Sequence, residues 1–214
     1  MPSASIVLTP DWTDAADIPA YSAMCDVLEI ADCTVPLQVW ANESDNRSTA
    51  WNRGGNASGI FQAMPATLRG LGWDVAHDLT LGKFRALTVH EQLIWATKYY
   101  GNHRGQTPTV AAFYLCTFLP ALLSCASTPQ AIVASPTHYP NAYAGNWTSF
   151  DVLRDAAGHP VPDKDGHPQV NKGYIVVQDL VDAAARATGP RTRELMERVR
   201  TYRANAITHP VPEV

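Results

Sequence analysis

Glu43 is the residue whose type and surroundings first suggest chemistry. It follows Leu37-Gln38-Val39-Trp40-Ala41, an apolar run expected to be a short helix from Pro36 to about Asn42. Thr34 reads as its N-cap, with Pro36 in the first turn. A carboxyl at the C-terminal end of such a helix is expected to be half buried. Low local dielectric and the negative helix end both disfavour the carboxylate, so its proton affinity should rise. That is the state a general acid needs near neutral pH. The plainer reading is a solvated glutamate at a helix end. Ser44, next in the chain, could touch a ligand, orient Glu43 or simply end the helix.

Sixteen residues later comes Gly59-Ile60-Phe61-Gln62, followed by Met64-Pro65-Ala66-Thr67. Gly59 permits close backbone approach. The Gln62 amide stands beside apolar Ile60, Phe61 and Met64, the mixture of floor and donors that a sugar ring carrying an N-acetyl group requires. The same residues also suit an ordinary loop-to-helix junction, with Phe61 and Met64 in a core.

The elements that must position these residues are mostly helical. Pro19–Asp32 carries helical spacing at Tyr21, Met24, Cys25, Leu28 and Ala31. Residues 44–58 form a polar, glycine-containing loop. Thr88 caps a helix running to Tyr100, with Glu91 completing a capping box and Leu93, Ile94, Ala96 and Thr97 expected on its inner face. Pro108 opens a helix that is apolar almost all round. Nine of the sixteen prolines lie after residue 125, where residues 136–174 are turn-rich. The expected fold is therefore mainly α. A helical domain over 19–135 precedes a turn-rich and helical extension over 136–214, which either wraps the same domain or docks the chain into a larger assembly. The heavily charged last helix motivates the docking alternative.

Taken together, Glu43-Ser44, Gly59-Ile60-Phe61-Gln62 and Met64-Pro65-Ala66-Thr67 resemble the motifs of the lysozyme-like superfamily. Within it they are most similar to lytic transglycosylases and goose-type lysozymes, and the Ala-Ser-Gly-Ile-Phe-Gln wording looks like phage-encoded members. The resemblance spans about Val35 to Ala121. It implies peptidoglycan glycan strands as substrate, Glu43 as the catalytic residue, and Ser44, Gly59, Ile60, Phe61, Gln62 and Met64 as substrate-binding. It also implies a tyrosine in an apolar helix, best matched by Tyr114, although Leu115-Cys116 replaces the usual Asn-x-Gly setting. Transglycosylases of this kind work with one glutamate and no cofactor. A hydrolytic lysozyme, a chitinase on the same fold or a non-catalytic virion protein are the alternatives.

A second carboxylate would have to be Asp45 or Asp74, neither of which stands in a recognisable motif. Among the tryptophans weighed for sugar stacking (Trp51, Trp73, Trp95 and Trp147), Trp51 in the polar loop is the best groove candidate. No cysteine pair or histidine spacing suggests a metal. Cys116 and Cys125 read as core thiols, and a Cys25–Cys33 bridge is left open. Asp163-Lys164-Asp165-Gly166 starts like a calcium loop, but His167 and Tyr174 break the pattern in favour of a turn. The net charge of -4 speaks against nucleic acid as a partner. No stretch is long and apolar enough for a secretory signal or a membrane span. A virion-associated or host-cytoplasmic protein acting on the periplasmic wall is expected, with phage virion or tail proteins as possible partners.

Overall fold

The computed structural model describes residues 11–54 and 56–208. The chain is mainly α. The first elements are α1 (Asp17–Val27) and α2 (Thr34–Ser44), then a small hairpin of β1 (Trp51–Asn52) and β2 (Ala57–Ser58). There follow α3 (Pro65–Gly70), α4 (Gly82–Arg85), α5 (Val89–Tyr100) and α6 (Val110–Phe118). Next come β3 (Ile132–Ala134), α7 (Pro140–Phe150), β4 (Ile175–Val176), α8 (Val177–Ala187) and α9 (Pro190–Thr208). No helix among the described residues is long and apolar enough to cross a membrane.

The chain divides into two compact units, one of residues 1–110 with 187–214 and the other of residues 111–186. The division expected at residue 136 is thus displaced. The apolar helix after Pro108 belongs with the turn-rich segment, and the last helix returns to the first unit.

In the first unit α1 packs against α5 and α9, and α2 packs against α9. Two arginines of α9 are used internally. Arg198 donates to the Trp12 carbonyl at 2.9 Å, and Arg203 donates to Ser22 and to Asp26. These bonds tie α9 to α1 and to the segment before it. The core is a chain of aromatic rings in edge or tilted contact, from Trp12 through Tyr21, Trp40 and Tyr100 to Phe61 and Phe84, and then Trp73 and Trp95. Such offset and edge-on geometry suits the ring quadrupoles.

Two helix ends differ from the sequence reading. Thr34 is the first residue of α2, not its cap. The Asp32 carboxylate accepts from the Thr34 amide at 2.9 Å and from its hydroxyl at 2.7 Å. The helix also runs through Glu43 to Ser44. It stops there because Asp45 and Asn46 both take the left-handed conformation, which lets the Asp45 amide bond Ala41 and the Asn46 amide bond Trp40. The α5 capping box is present as expected. Its inner face, however, is Val89, Gln92, Leu93, Ala96 and Tyr100, whereas Ile94 is exposed. The spacing 89, 92, 93, 96, 100 is the true 3.6-residue stripe, and position 94 lies off it.

In the second unit β3 and β4 pair antiparallel across a bulge, Ile132 opposite Val176 and Ala134 opposite Ile175. α8 buries Val177, Leu180, Ala183 and Ala184 along one stripe. Between α7 and β4 lies an eight-residue repeat that sequence reading passed over: Asp155-Ala-Ala-Gly158-His159-Pro160 and Asp163-Lys-Asp-Gly166-His167-Pro168. Both copies make the same turn. Each aspartate Oδ1 accepts from the amides two and four residues on, and its own amide bonds the histidine carbonyl. The calcium-loop likeness at Asp163 is thus a self-satisfied turn. Among the described residues no group of three histidine, cysteine or acidic side chains is placed to hold a metal.

Asp151 organises the return from these turns. It is fully buried, and its carboxylate accepts from the Lys172 amide, the Gly173 amide and the Tyr143 hydroxyl at 2.8, 2.8 and 3.0 Å. Asp151→Ala leaves those three donors without their acceptor, at roughly 3 kcal/mol. A thermal melt should show a fall of about 6–12 °C relative to wild type; an unchanged melt would mean that solvent replaces the carboxylate freely.

Candidate functional site

Glu43 occupies the last turn of α2 and is half-buried. Its neighbour Ser44 decides what it faces. The Ser44 side chain is buried, and its hydroxyl lies 2.6 Å from the Ile60 carbonyl and 3.1 Å from the Trp40 carbonyl, able to donate to either. The shorter contact joins the end of α2 to the turn sixteen residues on. Ser44 is therefore a tether between the helix end and the turn, with little of its side chain exposed.

The turn itself is closed on both sides. Ser58 and Ala63 exchange backbone hydrogen bonds at 3.0 and 2.8 Å, and the Gln62 amide bonds the Gly59 carbonyl at 3.2 Å. Gly59 holds φ +79°, and a Cβ there would meet Gln92 Oε1 at 2.5 Å and the Phe84 ring at 2.7 Å. Both the torsion and the space demand glycine. Gln62 sits at φ +48°, an unusual torsion for a side chain with a Cβ, and its own amide group donates to the Gly59 carbonyl at 3.0 Å.

Behind the turn stands Gln92 of α5, which sequence reading missed. It is fully buried. Its Oε1 accepts from the Ile60 amide at 2.9 Å, and its Nε2 donates to the carbonyls of Ser48 and Phe84 at 2.9 and 3.0 Å. A polar residue at an inner-face position of an amphipathic helix was the available signal, since burial obliges it to find partners. Ile60 and Phe61 are likewise enclosed, with the Phe61 ring stacked on Tyr99 at 5.7 Å. Their side chains form the wall behind the turn and do not line a surface. Met64, expected to be partly core, is 51% exposed, and Gln62 is half-exposed.

Trp51 follows on the hairpin, 39% exposed. The guanidinium carbons of Arg85 and Arg53 lie 4.2 and 4.7 Å from its ring centroid. Arg85 is itself held, donating to Ser58 Oγ at 3.0 Å and to the Thr80 carbonyl at 2.7 Å. α4, which carries Arg85, is capped by Asp78, whose carboxylate accepts from the Lys83 and Phe84 amides at 3.0 Å each. Trp73 and Trp95 are half-buried and pack edge-on against each other at 5.2 Å.

The two alternative carboxylates are committed locally. Asp45 pairs with Arg47 at 2.9 Å. Asp74 caps a short 3₁₀ turn and pairs with His77 at 2.6 Å, a hydrogen bond that holds its carboxyl below the usual range. Tyr114 belongs to the second unit, fully buried and edge-on to Phe150 at 5.6 Å. Cys25 and Cys33 are both buried as free thiols. Hydrogen bonding to Cys33, together with burial, keeps the Cys25 thiol protonated. Cys116 is buried, whereas Cys125, expected in the core, is partly exposed.

Gln92→Leu keeps the volume but strands the Ile60 amide and two carbonyls, which should destabilise by roughly 3 kcal/mol or more. Denaturant unfolding measures the loss. Amide exchange should show Ile60 becoming unprotected before the amides of α5; if its protection is unaltered, Gln92 is not what holds the turn.

Comparison with family models, with curated proteins and with solved structures gives no match.

Proposed function

We propose that the protein is a peptidoglycan-cleaving lytic transglycosylase of the lysozyme-like superfamily, with Glu43 as its single acid/base. The observation that carries this reading is the Ser44–Ile60 hydrogen bond at 2.6 Å. It sets the helix end bearing Glu43 against the Gly59–Gln62 turn, the two pieces on which the sequence resemblance rests. Gln62, Met64 and Trp51 are the substrate-binding candidates with accessible side chains. Ser44, Gly59, Ile60 and Phe61 act by positioning.

In this scheme the Glu43 carboxylic acid gives its proton to the glycosidic oxygen between N-acetylmuramic acid and N-acetylglucosamine. The C1–O bond breaks, and the substrate's own acetamido oxygen supports the developing positive centre. The Glu43 carboxylate then takes the proton of the C6 hydroxyl as O6 bonds to C1. The product is a 1,6-anhydro sugar, no water is consumed, and Glu43 ends protonated as it began. Asp45 and Asp74, being engaged with Arg47 and His77, favour this one-carboxylate route over hydrolysis with a second carboxylate.

Digestion of purified murein followed by mass spectrometry tests the reaction. Products lighter by one water than reducing muropeptides are expected. Glu43→Gln should lower the rate by roughly 10²–10⁴-fold with the thermal melt preserved. Reducing ends would convert the reading to a hydrolytic lysozyme, cleavage of chitin but not murein would change the substrate, and undiminished lysis by Glu43→Gln would remove Glu43 from the chemistry.

A further inference from the structure

Cys25 and Cys33 meet at the corner between α1 and α2. Cys25 lies in the last turn of α1, and Cys33 immediately precedes α2. The chain doubles back between them at Glu29, which holds the left-handed conformation at φ +58°. Three hydrogen bonds fix the corner. The Tyr21 hydroxyl of α1 donates to the Cys33 carbonyl at 2.6 Å, and the Ile30 amide donates to the Cys25 carbonyl at 2.8 Å. The Cys33 thiol in turn donates to the Ile30 carbonyl at 3.6 Å. Both cysteines thus grip the same residue, and their side chains are in hydrogen-bonding contact with each other. A disulfide needs side chains that converge on a backbone already in place, and this corner supplies both. Among the described residues no third metal-binding side chain joins the pair.

The surroundings separate the two thiols. Cys25 is fully enclosed, whereas 4% of Cys33 remains exposed, so Cys33 is the one a small molecule reaches first. Arg203 of α9 donates to Ser22 and Asp26, which flank Cys25 along α1, and its charge is felt at both sulfurs. The hydrogen bond from Cys25, helped by that charge, holds the Cys33 thiol below its ordinary value despite burial. The thiolate is the form that attacks a disulfide.

We propose that Cys25 and Cys33 form a reversible disulfide that fastens the start of α2 to the end of α1, with a low-molecular-weight disulfide such as oxidised glutathione as the oxidant. The Cys33 thiolate attacks one sulfur of that molecule. Its S–S bond breaks, and the proton shed by Cys33 ends on the departing sulfur. The Cys25 sulfur then attacks Cys33 Sγ and passes its own proton to the second departing thiolate. Two protein thiols are oxidised, and one small disulfide is reduced to two thiols. The bridge closes the short loop 26–32 at the opposite end of α2 from Glu43 and the Ser44–Ile60 contact. It does not depend on the reaction proposed above.

Incubation of the full chain with oxidised glutathione, followed by acid quench and mass spectrometry, tests the pair. A chain lighter by the two thiol hydrogens is expected, restored by dithiothreitol. Proteolysis after Glu29, which lies between the cysteines, should leave the two flanking peptides joined. The oxidised chain should melt roughly 5–10 °C above the reduced one. Cys33→Ala should show neither the bridge nor the shift, and if that variant does not fold, the Glu29 digest of the wild type decides alone. Accumulation of a glutathione adduct in place of the bridge, a bond to Cys116 or Cys125 instead, or identical melts of the two forms would overturn the proposal.

Discussion

The first unit depends on one buried amide. Gln92 projects from the inner face of α5 and satisfies three backbone groups from three separate stretches of chain: Ser48 after α2, Ile60 in the turn, and Phe84 in α4. In a low-dielectric interior each of those groups would be costly if left alone, so the amide specifies one arrangement of the three. It also sets the requirement for glycine at position 59, because its Oε1 occupies the space that a Cβ would need. Packing alone could not do this. The aromatic chain from Trp12 to Trp95 supplies cohesion, but rings tolerate sliding where a donor and an acceptor do not.

The candidate site follows from this constraint. Once the turn is fixed from behind by Gln92, the Ser44 hydroxyl can hold it from the front. Glu43, one residue earlier on the last turn of α2, is half-buried beside that contact. The left-handed pair Asp45 and Asn46 ends the helix at that place. Asn46 is anchored further by its side chain, which donates to the Leu37 carbonyl and to Thr192 of α9. The C-terminal helix, far away in sequence, is thus part of what ends α2 where it does.

Polar side chains serve the second unit in a similar way, on a smaller scale. The tandem Asp-x-x-Gly-His-Pro turns are locally complete, each aspartate satisfying its own loop. Asp151 then binds the segment after them back to α7 through Tyr143. Local turns need little core, which is how a stretch so rich in proline and glycine adopts defined structure.

Several helices of this chain were legible in its residues, because an apolar stripe and a capping box such as Thr88 with Glu91 are short-range signals; α7 was not, since Pro140–Phe150 lies in the stretch read as turn-rich. So was the turn at Gly59, where a glycine stands amid apolar residues. The inner face of α5 was misjudged at Ile94, since hydrophobicity was counted where spacing should have ruled and a buried glutamine looked like surface. What only the tertiary structure decided is which distant groups meet: Ser44 with Ile60, Gln92 with Ser48 and Phe84, α9 with α1 and α2, and Arg85 with Trp51. Local sequence records propensity and periodicity, whereas the partner of a buried hydrogen-bonding group is chosen by the folded chain, which must leave none of them unsatisfied.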